Sequence, residues 1–228
     1  MNGKVCLVTG ANAGIGKETA LGLARWGANV IMLCRDQSRG EAARAEIQKK
    51  SGNSNIKLMI CDMASQSSIR SFGREFLSEH ERLDVLINNH GVLMPKRSIT
   101  EDGLESTFAI NHIGYFLTAN VLLEALKRSA PSRIVNVASA AHAYGHIDIN
   151  NLQGERHYSA VRAYANSKLA NVLFTRALAR RLTGSGVTAN CLHPGAIAAW
   201  TGRSYGRSHS YRLRRYRPPE WARARSRT

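Results

Sequence analysis

Residues 4–16 read Lys-Val-Cys-Leu-Val-Thr-Gly-Ala-Asn-Ala-Gly-Ile-Gly, and this segment is the most informative in the chain about its architecture. The first six residues form a short apolar run with β-branched side chains, which predicts a buried strand. Glycines follow at Gly10, Gly14 and Gly16, and the amphipathic segment 17–26 predicts a helix. Between a strand and a helix, glycines permit a tight turn and let the backbone approach a pyrophosphate at the helix N-terminus. The pattern therefore favours a dinucleotide site over the alternative, an ordinary tight turn.

The rest of the chain continues this alternation of strands and helices. A helix is predicted after Ser65, an N-cap candidate. The other helices are predicted at residues 37–51, 100–127 and 160–182, and the other strands at residues 29–33, 56–61, 83–88, 133–138 and 187–192. Such alternation predicts an α/β fold, a doubly wound, Rossmann-like parallel sheet of about six strands with helices on both faces. We expect one catalytic domain over residues 1–200.

Side chains with useful chemistry follow each predicted strand. In doubly wound sheets the ligand crevice lies beyond the carboxyl ends of the strands. The residues found at these ends are Gly10, Arg35, Asp62, Asn89, Ser139 and Pro194. The topology therefore predicts that they gather around one site.

Arg35 directly follows the second predicted strand, where a dinucleotide fold meets the adenosine ribose. A guanidinium fork matches a 2′-phosphate well, so the sequence favours NADP(H) over NAD(H). In the alternative, Arg35 is solvated and the carboxylate of Asp36 binds the 2′-hydroxyl of NAD.

The predicted helix 160–182 carries Tyr164 and Lys168, which are four residues apart and share one face. A nearby ammonium lowers the pKa of a phenol, so Tyr164 is expected to exchange a proton with a carbonyl or alcohol oxygen. The alternative is a solvated Tyr and Lys on a helix surface. The apolar side of this helix is predicted to contain Val161, Leu169, Val172, Leu173 and Leu178.

Several motifs occur together in a characteristic order, namely Thr9-Gly10-x-x-x-Gly14-Ile15-Gly16, Asn88-Asn89-x-Gly91, Asn111, Ser139, Tyr164-x-x-x-Lys168 and Pro194-Gly195. With them the chain resembles the short-chain dehydrogenase/reductase family over about residues 3–197. The segments Cys34-Arg35-Asp36, Asn111-His112-x-Gly114-x-Phe116 and Ser167-Lys168-Leu169-Ala170-Asn171 are similar to the retinol dehydrogenase-like branch. That resemblance implies an NADP(H)-dependent oxidoreductase of lipophilic alcohols and carbonyls.

The resemblance also implies a role for each matching residue. Tyr164 would be the general acid and base, and Lys168 would lower its pKa and bind the nicotinamide ribose. Ser139 would hold the substrate oxygen, and Asn111 would support a water that links Lys168 to solvent. The alternatives are a strand-end serine that caps a loop and an asparagine that kinks a helix. The implied cofactor-binding set is Gly10, Asn12, Gly14, Ile15, Gly16, Arg35, Asp62, Met63, Asn89, Gly91, Tyr164, Lys168, Pro194 and Gly195. No metal ligand is implied, and a homo-oligomer would form through the helices of Asn111 and Tyr164.

Two features depart from the family pattern. His90 stands where the family usually has a small alanine near the adenosine, so it would either crowd the cofactor or stack on it. After Ile197 the family continues with a substrate-covering segment and a seventh strand, which we expect to be missing here. The alternative function is therefore a nucleotide-binding homologue that lacks its substrate lid and turns over poorly.

The net charge of +16 is concentrated towards the C-terminus, because residues 201–228 contain nine Arg and one Glu. This segment has few aliphatic side chains, so we expect a disordered tail. Its arginines and aromatics could bind nucleic acid, although an unselected basic tail is the favoured reading. No apolar run is long enough to span a membrane, and no signal peptide is expected. The four cysteines lack metal-ligand spacing, which favours reduced thiols and a cytoplasmic protein.

Overall fold

The computed structural model describes residues 1–195. The expectations for the disordered tail, the missing seventh strand and substrate lid, and the domain boundary at residue 200 lie outside these residues.

A six-stranded parallel sheet forms the centre of the described part. Its order is β3-β2-β1-β4-β5-β6, so the strand order reverses direction between β1 and β4. The register pairs Leu7 with both Ile31 and Leu86, which fixes β1 at the middle of the sheet. The strands are β1 Val5–Thr9, β2 Asn29–Cys34, β3 Ile56–Ile60, β4 Val85–Asn88, β5 Ser132–Val137 and β6 Val187–Leu192. The predicted doubly wound α/β fold is therefore confirmed.

Helices cover both faces of this sheet. The larger elements are α1 Gly14–Arg25, α2 Gln37–Ser51, α3 Gln66–Glu79, α4 Ser106–Phe108, a π-helix Ala109–Ile113, α5 Gly114–Val121, α6 Leu123–Arg128 and α7 Ala160–Arg181. Short 3-10 helices occupy Ala140–Tyr144 and Ile149–Asn151. Alternate residues of each strand point to opposite faces, which produces two buried clusters. One cluster contains side chains of α1 and α2, and the other contains side chains of α3, α5, α6 and α7.

The predicted long helix over residues 100–127 is wrong at its start and in its continuity. Residues before Ser106 form a turn, because Ile99 and Glu105 pair as an antiparallel bridge and Thr100 N donates to Leu104 O at 2.8 Å. The carboxylate of Glu105 then accepts from the backbone N–H groups of Thr107 and Phe108 and starts α4. The π-helix Ala109–Ile113 follows α4. The helix is interrupted again at Leu122, before α6 begins.

Other helix predictions are confirmed in part. Ser65 caps α3 by accepting from Ser68 N, as its position predicted. The first helix starts at Gly14, before the predicted residue 17. The apolar side predicted for α7 is wrong at Val161 and Leu173, which are 69% and 48% exposed.

Two further findings concern membrane spans and cysteines. Among residues 1–195 no helix is long and apolar enough to cross a membrane. Cys6, Cys34 and Cys61 are buried thiols and Cys191 is half-buried, and none of them forms a disulfide.

Removing the cap of α4 is expected to destabilise the fold. Glu105 is 1% exposed and its carboxylate binds two buried backbone N–H groups at 2.7–2.8 Å. Glu105→Ala should therefore lower the free energy of unfolding by about 2 kcal/mol, measured by urea denaturation. The control is Glu124→Ala, which removes only an exposed ion pair with Lys127 and should cost less than about 1 kcal/mol. Equal effects of the two variants would contradict this role for Glu105.

Candidate active site

The Gly-rich turn between β1 and α1 depends on close backbone contacts. Gly10 and Gly14 have φ values of 67° and 53°, a region that favours glycine. A Cβ on Gly16 would collide with the carbonyl oxygen of Gly10 and the amide of Asn89. That amide donates to Thr9 O at 2.8 Å, which ties the start of the turn to the loop after β4. The first turn of α1 has helical backbone N–H groups without partners inside the helix, which is the arrangement that binds a pyrophosphate in dinucleotide folds.

Two charged residues, Arg35 and Asp36, follow β2. Arg35 is exposed. Asp36 is the N-cap of α2, and its carboxylate accepts from Arg39 N at 2.9 Å. One carboxylate oxygen of Asp36 thus caps α2, and its other oxygen, on an exposed residue, stays available to a ribose hydroxyl.

Further predicted cofactor residues lie along the same sheet edge. Asp62 follows β3 and its carboxylate accepts from Ala64 N at 2.9 Å, while the Met63 sulfur accepts from Thr118 in α5. The structure places the others as follows: Asn12 and Ile15 are half-buried in the Gly-rich turn, and Pro194 and Gly195 follow β6.

Asn111 lies in the π-helix and is fully buried. Its side-chain N–H₂ donates to Val92 O at 2.8 Å and to Ser167 Oγ at 3.0 Å, and its Oδ1 accepts from Val92 N at 2.8 Å. A Cβ on Gly91 would lie 3.4 Å from Lys168 Nζ and 3.6 Å from Asn111 Oδ1. Asn111 therefore joins the loop after β4 to α7, and π-turns of this kind are frequent at functional sites.

Lys168 is a buried cation at the end of β5. Lys168 is 3% exposed, and its Nζ donates to Val137 O at 3.0 Å. The ammonium lies 5.7 Å from the ring centroid of Tyr164 and 5.3 Å from that of Tyr115. Burial lowers the pKa of Lys168 to about 8. A cation that is so weakly hydrated is readily influenced by any group that enters the crevice.

Ser139 and Tyr164 hydrogen-bond each other. Burial raises the pKa of Tyr164, and this hydrogen bond from Ser139 opposes the rise. Contrary to the sequence-based expectation, the pKa of Tyr164 therefore lies above its ordinary value in this structure, because desolvation of the phenol outweighs the Ser139 hydrogen bond. Ser139 Oγ also accepts from Ala141 N at 3.2 Å, so the loop-capping alternative describes a second role of the same hydroxyl.

Sequence reasoning missed two groups that hold Lys168. The carbonyl of Val137 has no side-chain signal in the sequence. Tyr115 is 0% exposed, and its hydroxyl donates to His90 O at 2.8 Å and to Val137 O at 3.3 Å. Its position four residues after Asn111, on the same side of a helical segment, was the available signal.

Both ring nitrogens of His90 have hydrogen-bond partners in the protein. Its Nδ1 lies 2.9 Å from Thr9 Oγ1, and its Nε2 lies 2.6 Å from Ile110 O. The ring meets Tyr115 edge-on, with centroids 4.7 Å apart. The imidazole therefore lies between β1 and the π-helix, where its contacts are with protein groups.

Taken together, the sheet order, the Gly-rich turn and the Ser139–Tyr164–Lys168 group define a dinucleotide-binding oxidoreductase fold. A family profile described as short chain dehydrogenase matches residues 4–208. The chain belongs to the short-chain dehydrogenase/reductase family, and within it the chain resembles the retinol dehydrogenase-like branch.

Named relatives support this placement. The chain is 54% identical to mouse retinol dehydrogenase 11 over 195 residues, which cover 86% of this chain and 62% of the relative. It is 51% identical to human retinol dehydrogenase 13 over 205 residues, which cover 90% of this chain and 62% of the relative. The chain thus spans about 62% of the length of these relatives.

Solved structures share the fold. An uncharacterized protein from Mycobacterium paratuberculosis is 40% identical with a TM-score of 0.76, over 85% of this chain and 69% of that one. A Pseudomonas aeruginosa RhlG/NADP active-site complex is 28% identical with a TM-score of 0.71, over 86% and 74% of the two chains. The family uses NAD(P), and the second neighbour was solved with NADP.

The Ser139 hydroxyl is expected to tune Tyr164. Ser139→Ala removes the hydrogen bond that opposes burial, so the pKa of Tyr164 should rise further. The measurement is a pH titration of ¹³Cζ-labelled tyrosines by NMR, with Tyr164→Phe used to assign the signal. Ser159→Ala, which removes an N-cap hydroxyl five residues from Tyr164, is the control and should leave the pKa of Tyr164 unchanged. An unaltered Tyr164 titration in Ser139→Ala would contradict the coupling.

Proposed function

We propose that this chain is an NADP(H)-dependent oxidoreductase that interconverts a lipophilic alcohol and its aldehyde or ketone. The observation that carries the proposal is the meeting of Ser139, Tyr164 and Lys168 at the sheet edge that also bears the Gly-rich turn. A phenol, a hydroxyl and a buried cation around one point suit the stabilisation of a carbonyl oxygen as it becomes an alkoxide.

Each residue has a separate task in this proposal. Ser139 and Tyr164 donate hydrogen bonds to the substrate oxygen, and Tyr164 passes its proton to that oxygen during reduction. Lys168 stabilises the tyrosinate that remains and binds the nicotinamide ribose. Asn111 supports the water through which the proton is replaced. The cofactor supplies the hydride, and the protein orients the reacting groups.

The cofactor would lie along the carboxyl ends of the strands. Gly10, Gly14 and Gly16 would admit its pyrophosphate to the N-terminus of α1. Asp62 and Met63 would border the adenine, and Asn89 and Gly91 would contribute contacts from the loop after β4. The remaining contacts would come from Asn12, Ile15, Tyr164, Lys168, Pro194 and Gly195.

The choice of NADP(H) over NAD(H) rests on Arg35. Its exposed guanidinium can bind a 2′-phosphate, whereas Asp36 already caps α2 through Oδ1, which accepts from Arg39 N. The solved neighbour with bound NADP supports the same preference. The names of the relatives support a retinoid or another small lipophilic substrate.

The setting of the protein is also proposed. The buried thiols favour a reducing compartment, so we place the chain in the cytoplasm. A homo-oligomer would form through the helices that follow Asn111 and contain Tyr164, since Phe116 and Leu173 are 43% and 48% exposed there. Nucleic acid is not a proposed partner.

Reversing the charge at Arg35 should reverse the cofactor preference. In Arg35→Asp a carboxylate repels the 2′-phosphate and accepts from a 2′-hydroxyl, so the NADPH affinity should fall at least about tenfold and that of NADH should rise. Fluorescence titration with both cofactors is the measurement. Arg74→Asp, at an exposed position in α3, is the charge control and should leave both affinities unchanged. Equal NADPH affinity in Arg35→Asp and the unchanged chain would remove Arg35 from the site.

Turnover is tested with NADPH and a panel of lipophilic aldehydes that includes retinaldehyde. We expect Tyr164→Phe to lower kcat by at least about 100-fold with NADPH affinity nearly intact, because only the transferable proton is lost. Tyr144→Phe, at a residue that is 85% exposed, is the matched control. If the chain binds NADPH but reduces none of the aldehydes, the alternative of a nucleotide-binding homologue with impaired turnover is favoured instead.

A further inference from the structure

Two consecutive carbonyl groups of the π-helix are bound by side chains. Ile110 O lies 2.6 Å from His90 Nε2, and Asn111 O accepts from Asn171 Nδ2 at 2.9 Å. A π-turn inserts one residue into the helical ladder, so the carbonyls around it depend on partners outside the helix. His90 and Asn171 are therefore the groups that stabilise this turn from two sides.

The proton positions on His90 follow from its partners. A carbonyl oxygen only accepts, so Nε2 must carry the proton that it donates to Ile110 O. In a neutral ring Nδ1 then accepts, and Thr9 Oγ1 is the donor at 2.9 Å. Burial lowers the pKa of His90 to about 3, which agrees with a neutral ring.

The two ends of the imidazole reach different halves of the site. Thr9 is the last residue of β1 and precedes Gly10, where a Cβ would lie 3.1 Å from both Cα and Cβ of His90. Ile110 precedes Asn111 in the π-helix. The ring itself is held against Tyr115, whose hydroxyl donates to His90 O at 2.8 Å.

We propose that His90 is a positioning residue that links the dinucleotide turn at Thr9 and Gly10 to the π-helix that carries Asn111. The roles of these two segments rest on the proposed function, whereas the link itself is a property of the fold. Without the Nε2–H donor, the buried carbonyl of Ile110 loses its partner and the π-turn loosens, so Asn111 is no longer held against Val92 and Ser167.

Two substitutions of His90 by amide side chains of different length distinguish a hydrogen-bonding role from a packing role. In His90→Gln the longer side chain can still donate to Ile110 O. In His90→Asn the amide can accept from Thr9 Oγ1 but is too short for Ile110. Hydrogen–deuterium exchange with NADPH present is the measurement, because it needs no catalytic activity. Backbone amides of residues 109–116 should exchange about tenfold faster in His90→Asn and within about threefold of the unchanged chain in His90→Gln.

A matched control and a spectroscopic test complete the experiment. His157→Asn, at an exposed histidine, should leave exchange at residues 109–116 unchanged. The ¹⁵N shifts of the His90 ring should show a neutral Nε2–H tautomer at about pH 6, below the ordinary histidine pKa. The proposal is overturned by a charged ring at that pH, by normal exchange in His90→Asn, or by equally fast exchange in the two variants.

Activity then tests the consequence for catalysis. His90→Asn should lower kcat about tenfold, and His90→Gln should keep most of the kcat of the unchanged chain. Binding of one NADPH molecule per chain in both variants would show that their cofactor sites are folded. A full kcat in His90→Asn overturns the role in catalysis. An unchanged chain that reduces no aldehyde, together with the expected exchange pattern, would instead refute the proposed function and leave the link supported.

Discussion

The rest of the site depends on the burial of the Lys168 ammonium against the carbonyl of Val137. A cation in a nearly dry position is stable only with close acceptors, and Val137 O supplies one at 3.0 Å. Val137 is the last residue of β5, so the cation is fixed to the strand that also delivers Ser139. The rings of Tyr115 and Tyr164 lie 5.3 Å and 5.7 Å from the ammonium and add favourable contact with the cation. In the proposed function, the position of Lys168 therefore sets where a substrate oxygen is stabilised.

A chain of buried hydrogen bonds keeps α7 in register with the sheet. Asn88 in β4 donates to Asn136 in β5 at 2.9 Å, and Asn136 donates to Thr175 in α7 at 2.9 Å. Thr175 in turn donates to Asn171 O at 2.7 Å. Because these groups are buried, sliding α7 by one turn would leave several of them without partners, at a high free-energy cost. This constraint holds Tyr164 and Lys168 opposite the end of β5.

Much of the fold could be predicted because strand and helix periods differ and because parallel strands end at one edge. Residues 4–16 indicated β1, the Gly-rich turn and the start of α1. The alternation of later segments indicated the doubly wound sheet. The gathering of Gly10, Asn89 and Ser139 at one edge then follows from topology alone.

The remainder depended on contacts that a sequence pattern does not encode. The sequence signals of a break in residues 100–127 are the turn dipeptide Asp102-Gly103 and the poor helix formers Asn111 and Gly114. None of them reveals the π-turn, whose carbonyls are bound from outside the helix by His90 and Asn171. The Tyr164 pKa depends on how deeply the phenol is buried, which four-residue spacing with Lys168 does not reveal. Val161 and Leu173 fit a helical period but lie on an exposed side.

The most direct measurement of this account is the titration of Lys168 itself. Lysine labelled with ¹³C at Cε can be followed by NMR against pH, with Lys168→Met used to assign the signal. We expect a midpoint at about 8, because burial disfavours the ammonium. A midpoint at the ordinary lysine value of 10.5 would contradict it, since Lys168 would then be a solvated side chain rather than the buried cation that organises the site.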